Sequence, residues 1–229
     1  MKRLLVVIPA FNEEETIGKV LRSLPKQIPG KIRVDVLVIN DGSQDQTLQI
    51  SKKMGALVIT HLINRGLGAA LGTAFSYAKA KGYDWVLTFD ADGQHQVTDV
   101  VKVLNPLIKN RADVVIGSRL LKKDKMPILR QIINKLSNVL TWVLFNIWTS
   151  DSQSGLRGFN KSALEEIEIT SQRMEVSSEL FKEISRLKLR KVEVPIQAVY
   201  TKYSLSKGQR LSNAPNVFWK LLLQRFGNI

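Results

Sequence analysis

Cysteine is absent from the sequence, and acidic residues are scarce. Without cysteine, the chain forms no disulfide bond and binds no metal through a thiolate, and the redox state of its compartment is not constrained. Long apolar runs are also missing, since none reaches the roughly 18 residues that a membrane-spanning helix needs. The 34 Lys and Arg residues outnumber the 20 Asp and Glu residues, which gives a net charge of +14. A surface of this charge suits nucleic acid, anionic lipid or phosphorylated substrates.

The chain of 229 residues is long enough for one large α/β domain, or for one domain with an appendage. Lys2 and Arg3 precede the apolar run 4–8, as in a signal peptide. However, Pro9 ends the run, glutamates follow at 13–15, and there is no small-residue cleavage site. We therefore interpret 4–8 as a first β-strand.

Over the first 119 residues, short apolar runs alternate with amphipathic segments. The runs predict strands at 4–8, 34–39, 56–62, 85–89 and 113–116, and the amphipathic segments predict helices at 13–24, 46–54, 68–81 and 97–109. This β-α order with short loops predicts a mostly parallel central sheet flanked by helices. Farther along, helices are expected at 161–167 and 176–187, and an edge strand at 192–200, which contains Pro195.

Polar residues cluster where the predicted strands end, at 9–13, 41, 64–65, 90–94 and 119. The carboxyl ends of parallel strands meet at one edge of a sheet, and open α/β sheets bind their ligands there. We therefore expect these residues to line one crevice.

The segment Asp90-Ala91-Asp92-Gly93-Gln94-His95 follows the central strand. If the strand continues, Asp90 and Asp92 project to the same side and reach one Mg²⁺ or Mn²⁺ ion, whose shell water and substrate phosphates complete. The alternative is a strand followed by a simple Asp/Gly turn. His95 is expected to support these residues or to lie on the surface, rather than to bind the metal.

Residues 128–148 are mostly apolar, but basic residues such as Arg130 and Lys135 interrupt the first half. A helix in the lipid interface has this composition, with basic residues toward the headgroups and Trp at the boundary. The alternative is a core or dimer helix with snorkelling basic residues. No acidic residue follows Glu193, and 211–229 is at best a basic amphipathic helix.

Six motifs occur in an order that resembles a known family. They are Pro9-Ala10-Phe11-Asn12-Glu13, Asn40-Asp41-Gly42-Ser43-Gln44-Asp45, Asn64-Arg65-Gly66-Leu67-Gly68, Asp90-Ala91-Asp92-Gly93-Gln94-His95, Gly117-Ser118-Arg119 and Ser154-Gly155-Leu156-Arg157. From about residue 3 to residue 210, the chain resembles the family 2 inverting glycosyltransferases of the GT-A fold, a Rossmann-like α/β fold. Within them it is similar to the dolichyl-phosphate mannosyltransferase-like (polyprenyl-phosphate sugar synthase) group.

The resemblance implies a hexosyltransferase that depends on Mg²⁺ or Mn²⁺. It would move a sugar, with inversion, from a nucleotide-sugar donor (GDP-mannose or a UDP-sugar) to polyprenyl or dolichyl phosphate. The enzyme would be peripheral, at the cytoplasmic face of an anionic membrane surface, without a spanning helix; the sequence leaves open whether a membrane protein anchors it. The single domain 1–229 would comprise a nucleotide-sugar-binding half (1–119), an acceptor-binding half (120–210) and a basic tail (211–229).

The resemblance also assigns site residues by position. The nucleotide pocket matches Pro9, Phe11, Glu13, Ile39 and Asp41, with Asp41 at the base or ribose, and the metal motif matches Asp90, Asp92 and Gln94. Further substrate contacts are implied for Arg65, Asp90, Ala91, Arg119 at the sugar diphosphate, Arg130 at the lipid phosphate, Ser154 on the acceptor side, and Lys202 and Lys207 in a late loop. Catalytic roles are implied for Asp92, Arg119 and Arg157.

The expected chemistry depends on the acceptor. A lipid phosphate has a second pKa of about 6, so near neutral pH it is already an anionic nucleophile and needs cationic positioning more than a general base. The leaving nucleoside diphosphate needs a divalent cation and Arg or Lys to stabilise its charge. We expect Asp92→Ala to abolish turnover, and Arg119→Ala to weaken phosphate handling without unfolding the chain. Glu175 is interpreted as either a buried acid near the acceptor or a helix start.

Three alternatives remain open. A nucleic-acid-binding protein fits the charge, but no helix-turn-helix, zinc or aromatic RNA-binding signature is present, so nucleic acid is not an expected partner. The glycines at 66, 68 and 72 suggest a dinucleotide-binding oxidoreductase, although they follow the third strand with unusual spacing and suit close helix packing better. Within the glycosyltransferases, the acceptor could instead be a soluble or glycan hydroxyl.

Overall fold

The computed structural model describes residues 1–122, 126 and 128–199. The predictions for Lys202, Lys207 and the tail 211–229 lie outside the described residues. The strands are β1 (Arg3–Ala10), β2 (Gln27–Ile28), β3 (Ile32–Asn40), β4 (Leu57–Thr60), β5 (Trp85–Thr88), β6 (Val114–Ser118), β7 (Arg157–Asn160) and β8 (Lys191–Pro195). The helices are α1 (Ile17–Ser23), α2 (Thr47–Lys53), α3 (Leu67–Lys81), α4 (Val97–Ile108), α5 (Ile128–Phe145), α6 (Lys161–Glu166) and α7 (Val176–Arg186).

The strands form one sheet in the order β2-β3-β1-β5-β7-β6-β8, and β4 pairs with the end of β3. The pairs β1–β3, β1–β5, β3–β4 and β6–β8 are parallel. Alternate residues of β1 belong to two separate hydrophobic clusters, so apolar side chains and helices cover both faces of the sheet. The predicted α/β class, with a mostly parallel sheet flanked by helices, is confirmed.

The sequence did not predict β7, which lies between β5 and β6 and is antiparallel to both. Its segment is short, contains Gly158 and follows a run of small polar residues, which is typical of a turn. Glycine is required there, because a Cβ atom on Gly158 would lie 2.8 Å from Cγ1 of Val103 in α4. The consequence is that Arg157 belongs to a central strand rather than to a loop.

Several predicted boundaries are wrong. The predicted helix 13–24 begins only at Ile17, after a turn at 14–16, and the short strand β2 lies between this helix and the predicted strand 34–39. The central strand ends at Thr88, and the chain turns at 91–92. Strand β8 ends at Pro195 and lies at the edge of the sheet, the position expected for a strand that contains proline.

Helix α5 exposes its apolar side chains and buries polar ones. The exposed residues are Ile132 57%, Leu136 70%, Val139 44%, Trp142 50% and Val143 60%. The buried polar residues are Asn134, Asn138 and Thr141. A surface helix in water normally has the reverse pattern, with the apolar side toward the core. Within the part of the chain that the structure describes, no helix is both long enough and apolar enough to cross a bilayer.

Candidate active site

A cavity of about 640 Å³ lies at the carboxyl ends of the parallel strands, which is the position of the expected crevice. Most of the predicted site residues line it, namely Pro9, Phe11, Glu13, Asp41, Asp90, Ala91, Asp92, Gln94, Arg119 and Arg130. Most of these residues come from loops that are distant in the sequence, whereas Pro9 lies near the end of β1 and Arg130 lies in α5. The volume is in the range of pockets that bind small molecules and cofactors.

Four predicted residues lie outside the cavity lining. The side chains of Ile39 and Ser154 are fully buried, and Arg157 is 3% exposed, so these three lie behind the cavity wall. Arg65 is exposed, and its backbone N–H donates to Oδ1 of Asp41 at 3.0 Å. Arg65 therefore contributes to the site through its backbone.

Asp90 is held between His95 and Gly155. Its Oδ2 atom lies 2.9 Å from Nε2 of His95, which is buried, as the supporting role expected from the sequence requires. A Cβ atom on Gly155 would lie 2.1 Å from both carboxylate oxygens of Asp90, so only glycine leaves room for them. Burial opposes ionisation of this carboxyl, but His95 and the charges of Arg119 and Arg157 outweigh burial, and its pKa is lowered.

Asp92 lies in the turn after β5 and bonds with Gln94. Its Oδ1 atom accepts the backbone N–H of Gln94 at 3.0 Å, and its Oδ2 atom accepts the side-chain amide of the same residue. Burial and the neighbouring charge of Asp90 raise the pKa of Asp92. The prediction that strand alternation aligns the two aspartates is wrong, because the chain turns here. Both residues nevertheless line the cavity.

The residues of this turn fit a divalent cation. Two neighbouring carboxylates at a cavity wall are an excess of negative charge that a cation neutralises, and Asp90, Asp92 and Gln94 supply the oxygen ligands that Mg²⁺ or Mn²⁺ prefers. Among the described residues, no group of three or more His, Asp or Glu side chains is placed to hold a metal ion. A metal held here would therefore take further ligands from a bound diphosphate and water.

Asp41 is the centre of a hydrogen-bond network that the sequence did not predict. Its Oδ1 atom lies 2.7 Å from Nδ1 of His61, and its Oδ2 atom accepts the backbone N–H of Gly66 at 2.7 Å. The other ring nitrogen of His61 lies 2.9 Å from Oγ1 of Thr73. Sequence reasoning missed His61 because it lies directly after β4 and matches no motif; its position 20 residues after an aspartate carries no signal by itself.

Asp151 fixes the side chain of Arg119. Its Oδ2 atom accepts Nε–H of Arg119 at 2.8 Å and the backbone N–H of the same residue at 3.0 Å, and its Oδ1 atom accepts from Nη2 at 2.8 Å. The side chain of Asp151 is 0% exposed and that of Arg119 is 13% exposed. Sequence reasoning assigned no role to this acid. The ion pair therefore holds the guanidinium of Arg119 in a fixed position at the cavity wall.

Arg157 is a buried cation behind the aspartates. Its Nη2 atom donates to the carbonyl oxygen of Ser152 at 2.9 Å, and its guanidinium lies 5.6 Å from the ring centre of Phe181. Burial lowers the pKa of Arg157 to about 10, while the charges of Asp90 and Asp151 oppose that shift. The guanidinium therefore stays charged at neutral pH and balances the carboxylates from behind.

The amino terminus of α3 is covered by the loop that precedes α7. The N–H of Gly68 donates to the carbonyl oxygen of Arg173 at 3.2 Å, and a Cβ atom on Gly68 would lie 2.1 Å from the carbonyl oxygen of Ser171. The glycine thus permits close packing instead of pyrophosphate binding, which argues against the dinucleotide alternative. The same loop ends at Glu175, which is 6% exposed and precedes the first turn of α7, so it is both a buried acid and a helix start.

The family model for glycosyl transferase family 2 matches residues 5–168. UDP-N-acetylglucosamine–dolichyl-phosphate N-acetylglucosaminyltransferase from Methanococcus voltae is 32% identical to this chain. The alignment of 250 positions covers 100% of this chain and 98% of the relative. Undecaprenyl-phosphate mannosyltransferase from Micrococcus luteus is 30% identical over 90% of this chain and 87% of its own length.

A crystal structure of glucosyl-3-phosphoglycerate synthase from Mycobacterium tuberculosis, in complex with Mn²⁺, UDP and glucosyl-3-phosphoglycerate, has the same fold. Its TM-score is 0.76 at 21% identity, over 99% of this chain and 80% of that chain. At this identity the likeness concerns the fold alone. Together with the family match and the relatives, it leads to one assignment: the chain belongs to glycosyl transferase family 2, in its dolichyl-phosphate sugar transferase-like group, and is a hexosyltransferase with the GT-A fold.

Proposed function

We propose that this enzyme transfers a hexose, with inversion, from a nucleotide sugar to polyprenyl phosphate at a membrane surface, with Mg²⁺ or Mn²⁺ as its cofactor. One observation carries the proposal. The cavity that contains Asp90 and Asp92 also contains Arg119 and Arg130, and Arg130 belongs to helix α5, which exposes an apolar side. A donor site, a cationic acceptor site and a surface for lipid are therefore contiguous.

The donor half of the cavity suits a nucleotide diphosphate. Asp41 lines the cavity and accepts hydrogen bonds, and the aspartates of the turn after β5 line the same cavity. A cation bound there would neutralise the diphosphate and stabilise the charge of the leaving group. Relatives and structural neighbours support this assignment, since their names include UDP-N-acetylglucosamine, UDP and Mn²⁺.

The acceptor half, with Arg130, suits a phosphate monoester, and Arg119 lies at the junction with the donor diphosphate. Arg119 is held rigidly by Asp151, so it loses little side-chain entropy when it binds an anion. A phosphate is already ionised near neutral pH and attacks without a general base. The main requirement is therefore that Arg130 positions the acceptor phosphate and that Arg119, at the donor diphosphate, lowers the repulsion between the two anions. The names of the relatives, which include dolichyl phosphate and undecaprenyl phosphate, support a polyprenyl acceptor.

The lipid chain would leave the cavity along α5. The exposed side of this helix carries Leu136 and Trp142, and Trp148 follows it at 60% exposure. Exposed tryptophan and leucine beside basic residues on a chain of net charge +14 suit an anionic bilayer surface. The buried polar side of the helix is consistent with this orientation, because it leaves only the apolar side for the lipid.

A transfer assay tests the reaction. Purified full-length chain, a short-chain polyprenyl phosphate and Mg²⁺ or Mn²⁺ are incubated with radiolabelled UDP- and GDP-sugars, and the products are extracted into organic solvent. We expect label in the organic phase from one donor, and none after EDTA treatment. Label in a new aqueous product would indicate a soluble or glycan hydroxyl acceptor instead. Failure to bind any donor, with or without metal, would contradict the nucleotide-sugar assignment.

A vesicle-binding assay tests the membrane surface. Leu136→Glu places a charge in the middle of the exposed apolar side of α5, and Val101→Glu is the matched control on α4, where Val101 is 45% exposed. We expect Leu136→Glu to reduce co-sedimentation with anionic vesicles about tenfold, since burying a charge in the interface is costly, and Val101→Glu to bind like the wild type. Equal binding of all three proteins would contradict the role of α5.

A further inference from the structure

We propose that His61 is a positioning residue that orients Asp41 to accept a hydrogen bond from the donor's nucleotide base, and that it thereby selects bases with a ring N–H. The inference rests on the proposed nucleotide-sugar function of the cavity. It adds a specificity determinant outside the residues that line the cavity, and it gives a physical reason why the site would prefer the uracil or guanine of the expected donors.

The hydrogen bonds of His61 indicate which of its ring nitrogens donates to Asp41. An ionised carboxylate only accepts hydrogen bonds, so Nδ1 of His61 must carry a hydrogen and donate to Asp41 across 2.7 Å. In a neutral imidazole Nε2 is then an acceptor, and the hydroxyl of Thr73 must donate to it across 2.9 Å. Thr73 therefore holds the ring in the tautomer that serves Asp41, much as a carboxylate fixes the tautomer of a histidine that binds a metal.

The carboxylate of Asp41 has about four acceptor positions. Among the described residues, three of these positions are used, by His61 and the backbone N–H of Arg65 on Oδ1 and by the backbone N–H of Gly66 on Oδ2. The count leaves one acceptor position on Oδ2, and Asp41 lines the cavity. A single charged acceptor favours a base edge that presents N–H and disfavours one that presents a nitrogen lone pair.

Uracil and cytosine have nearly the same size, as do guanine and adenine, but the members of each pair differ in whether a ring nitrogen carries a hydrogen. Uracil presents N3–H where cytosine presents a lone pair on N3, and guanine presents N1–H where adenine presents a lone pair on N1. The preference of the site within each pair therefore reports the orientation of Asp41 and is insensitive to the size of the cavity. A discrimination of this kind, in which the wrong partner leaves a buried polar group unsatisfied, is larger than one based on shape.

His61 is suited to orienting Asp41 without being essential for folding. It follows β4, Asp41 follows β3, and Thr73 lies in α3, so the network connects three elements beside the cavity that Asp41 lines. The two backbone N–H groups continue to hold the carboxylate when His61 is replaced. The expected consequence is a reoriented carboxylate, with the chain still folded.

The test compares two substitutions of His61, each of which keeps a hydrogen-bonding group near only one of the two ring nitrogens. Asn places a donor near Nδ1, whereas Gln reaches the Nε2 position and lacks the donor to Asp41. Dissociation constants for UDP, CDP, GDP and ADP are measured by calorimetry with Mn²⁺ for the full chain, His61→Asn, His61→Gln and Thr73→Val. Thr98→Val on the exposed side of α4 is the control for the threonine substitution.

We expect the wild type, His61→Asn and Thr98→Val to prefer the N–H base in at least one pair. In His61→Gln that preference should fall about tenfold, the effect of one charge-assisted hydrogen bond, and Thr73→Val should have a smaller effect in the same direction. If His61→Gln weakens all four nucleotides equally, His61 is only structural and the inference is wrong. If the wild type binds nucleotides without discrimination, the inference fails while the proposed function survives; if it binds none, both fail.

Discussion

Arg119 and Asp151 form a bidentate ion pair that joins the end of β6 to the loop before β7, with both N···O distances at 2.8 Å. The same loop is tied to α5, because the side chain of Asn138 donates to the carbonyl oxygen of Ser150 at 2.6 Å and accepts the N–H of Ser152 at 2.8 Å. One short loop thus connects the helix proposed to face the membrane with the arginine proposed to hold the phosphate.

Asp151→Ala is expected to destabilise the fold by about 3–5 kcal/mol, because it removes the buried carboxylate that accepts three hydrogen bonds from the mostly buried Arg119. Urea unfolding followed by circular dichroism measures the change. Glu165→Ala is the control, since its ion pair with Lys161 is 3.8 Å long and more than half exposed on both sides, and should cost less than about 0.5 kcal/mol. Equal effects of the two substitutions would contradict the structural role of the pair.

The same geometry revises the sequence-based expectation for Arg119→Ala. Removal of the guanidinium leaves the carboxylate of Asp151 at 0% exposure without its cation, so the substitution should lower stability as well as activity. Arg119 is therefore a poor residue for a substitution that isolates phosphate binding. Arg130, which lines the same cavity, is a better one.

The fold was predictable because strands buried on both faces are continuous apolar runs, and their polar ends identify the ligand-binding edge. By contrast, β7 could not be predicted, since a four-residue strand with Gly158 at its centre has the local signals of a turn. The partners Asp151 and His61 were not predictable either. Each acts on a residue 32 or 20 positions away, and only the tertiary structure shows which polar side chains become neighbours.

Asp92→Asn is expected to reduce turnover by at least about 10³-fold while raising thermal stability in EDTA. The activity falls because a neutral amide is a poor ligand for a divalent cation that stabilises the leaving group. The stability rises because the folded state raises the pKa of Asp92, so the ionised form is a cost to folding at every pH above the ordinary value. Initial rates and thermal melts measure the two effects, and near-normal turnover would contradict the metal assignment.

The ion pair between Asp113 and Arg190 predicts acid sensitivity away from the cavity. Hydrogen bonds from Arg190, against the opposing effect of burial, lower the pKa of Asp113 from 3.8 to about 2. A lowered pKa means that the stabilisation is complete above about pH 4 and is lost as the pH falls toward 2. It amounts to about 1 kcal/mol after solvent screening. In acid titrations of the unfolding free energy, Asp113→Asn should flatten the curve over this interval, and a curve with the wild-type slope would contradict this role of the ion pair.

Gly155→Ala is expected to reduce turnover about 10²-fold by displacing the carboxylate of Asp90, which lies where the new Cβ atom would be. The backbone cannot easily move away, because the carbonyl oxygen of Gly155 accepts the hydroxyl of Thr88 at 2.6 Å. Gly72→Ala is the matched control: its Cβ atom would meet nothing closer than 3.7 Å, and it should stabilise α3 by up to about 1 kcal/mol. Measurements of kcat and melting temperature separate the two outcomes. A Gly155→Ala enzyme with wild-type kcat would mean that Asp90 can reorient freely, and its proposed role as a fixed ligand would be wrong.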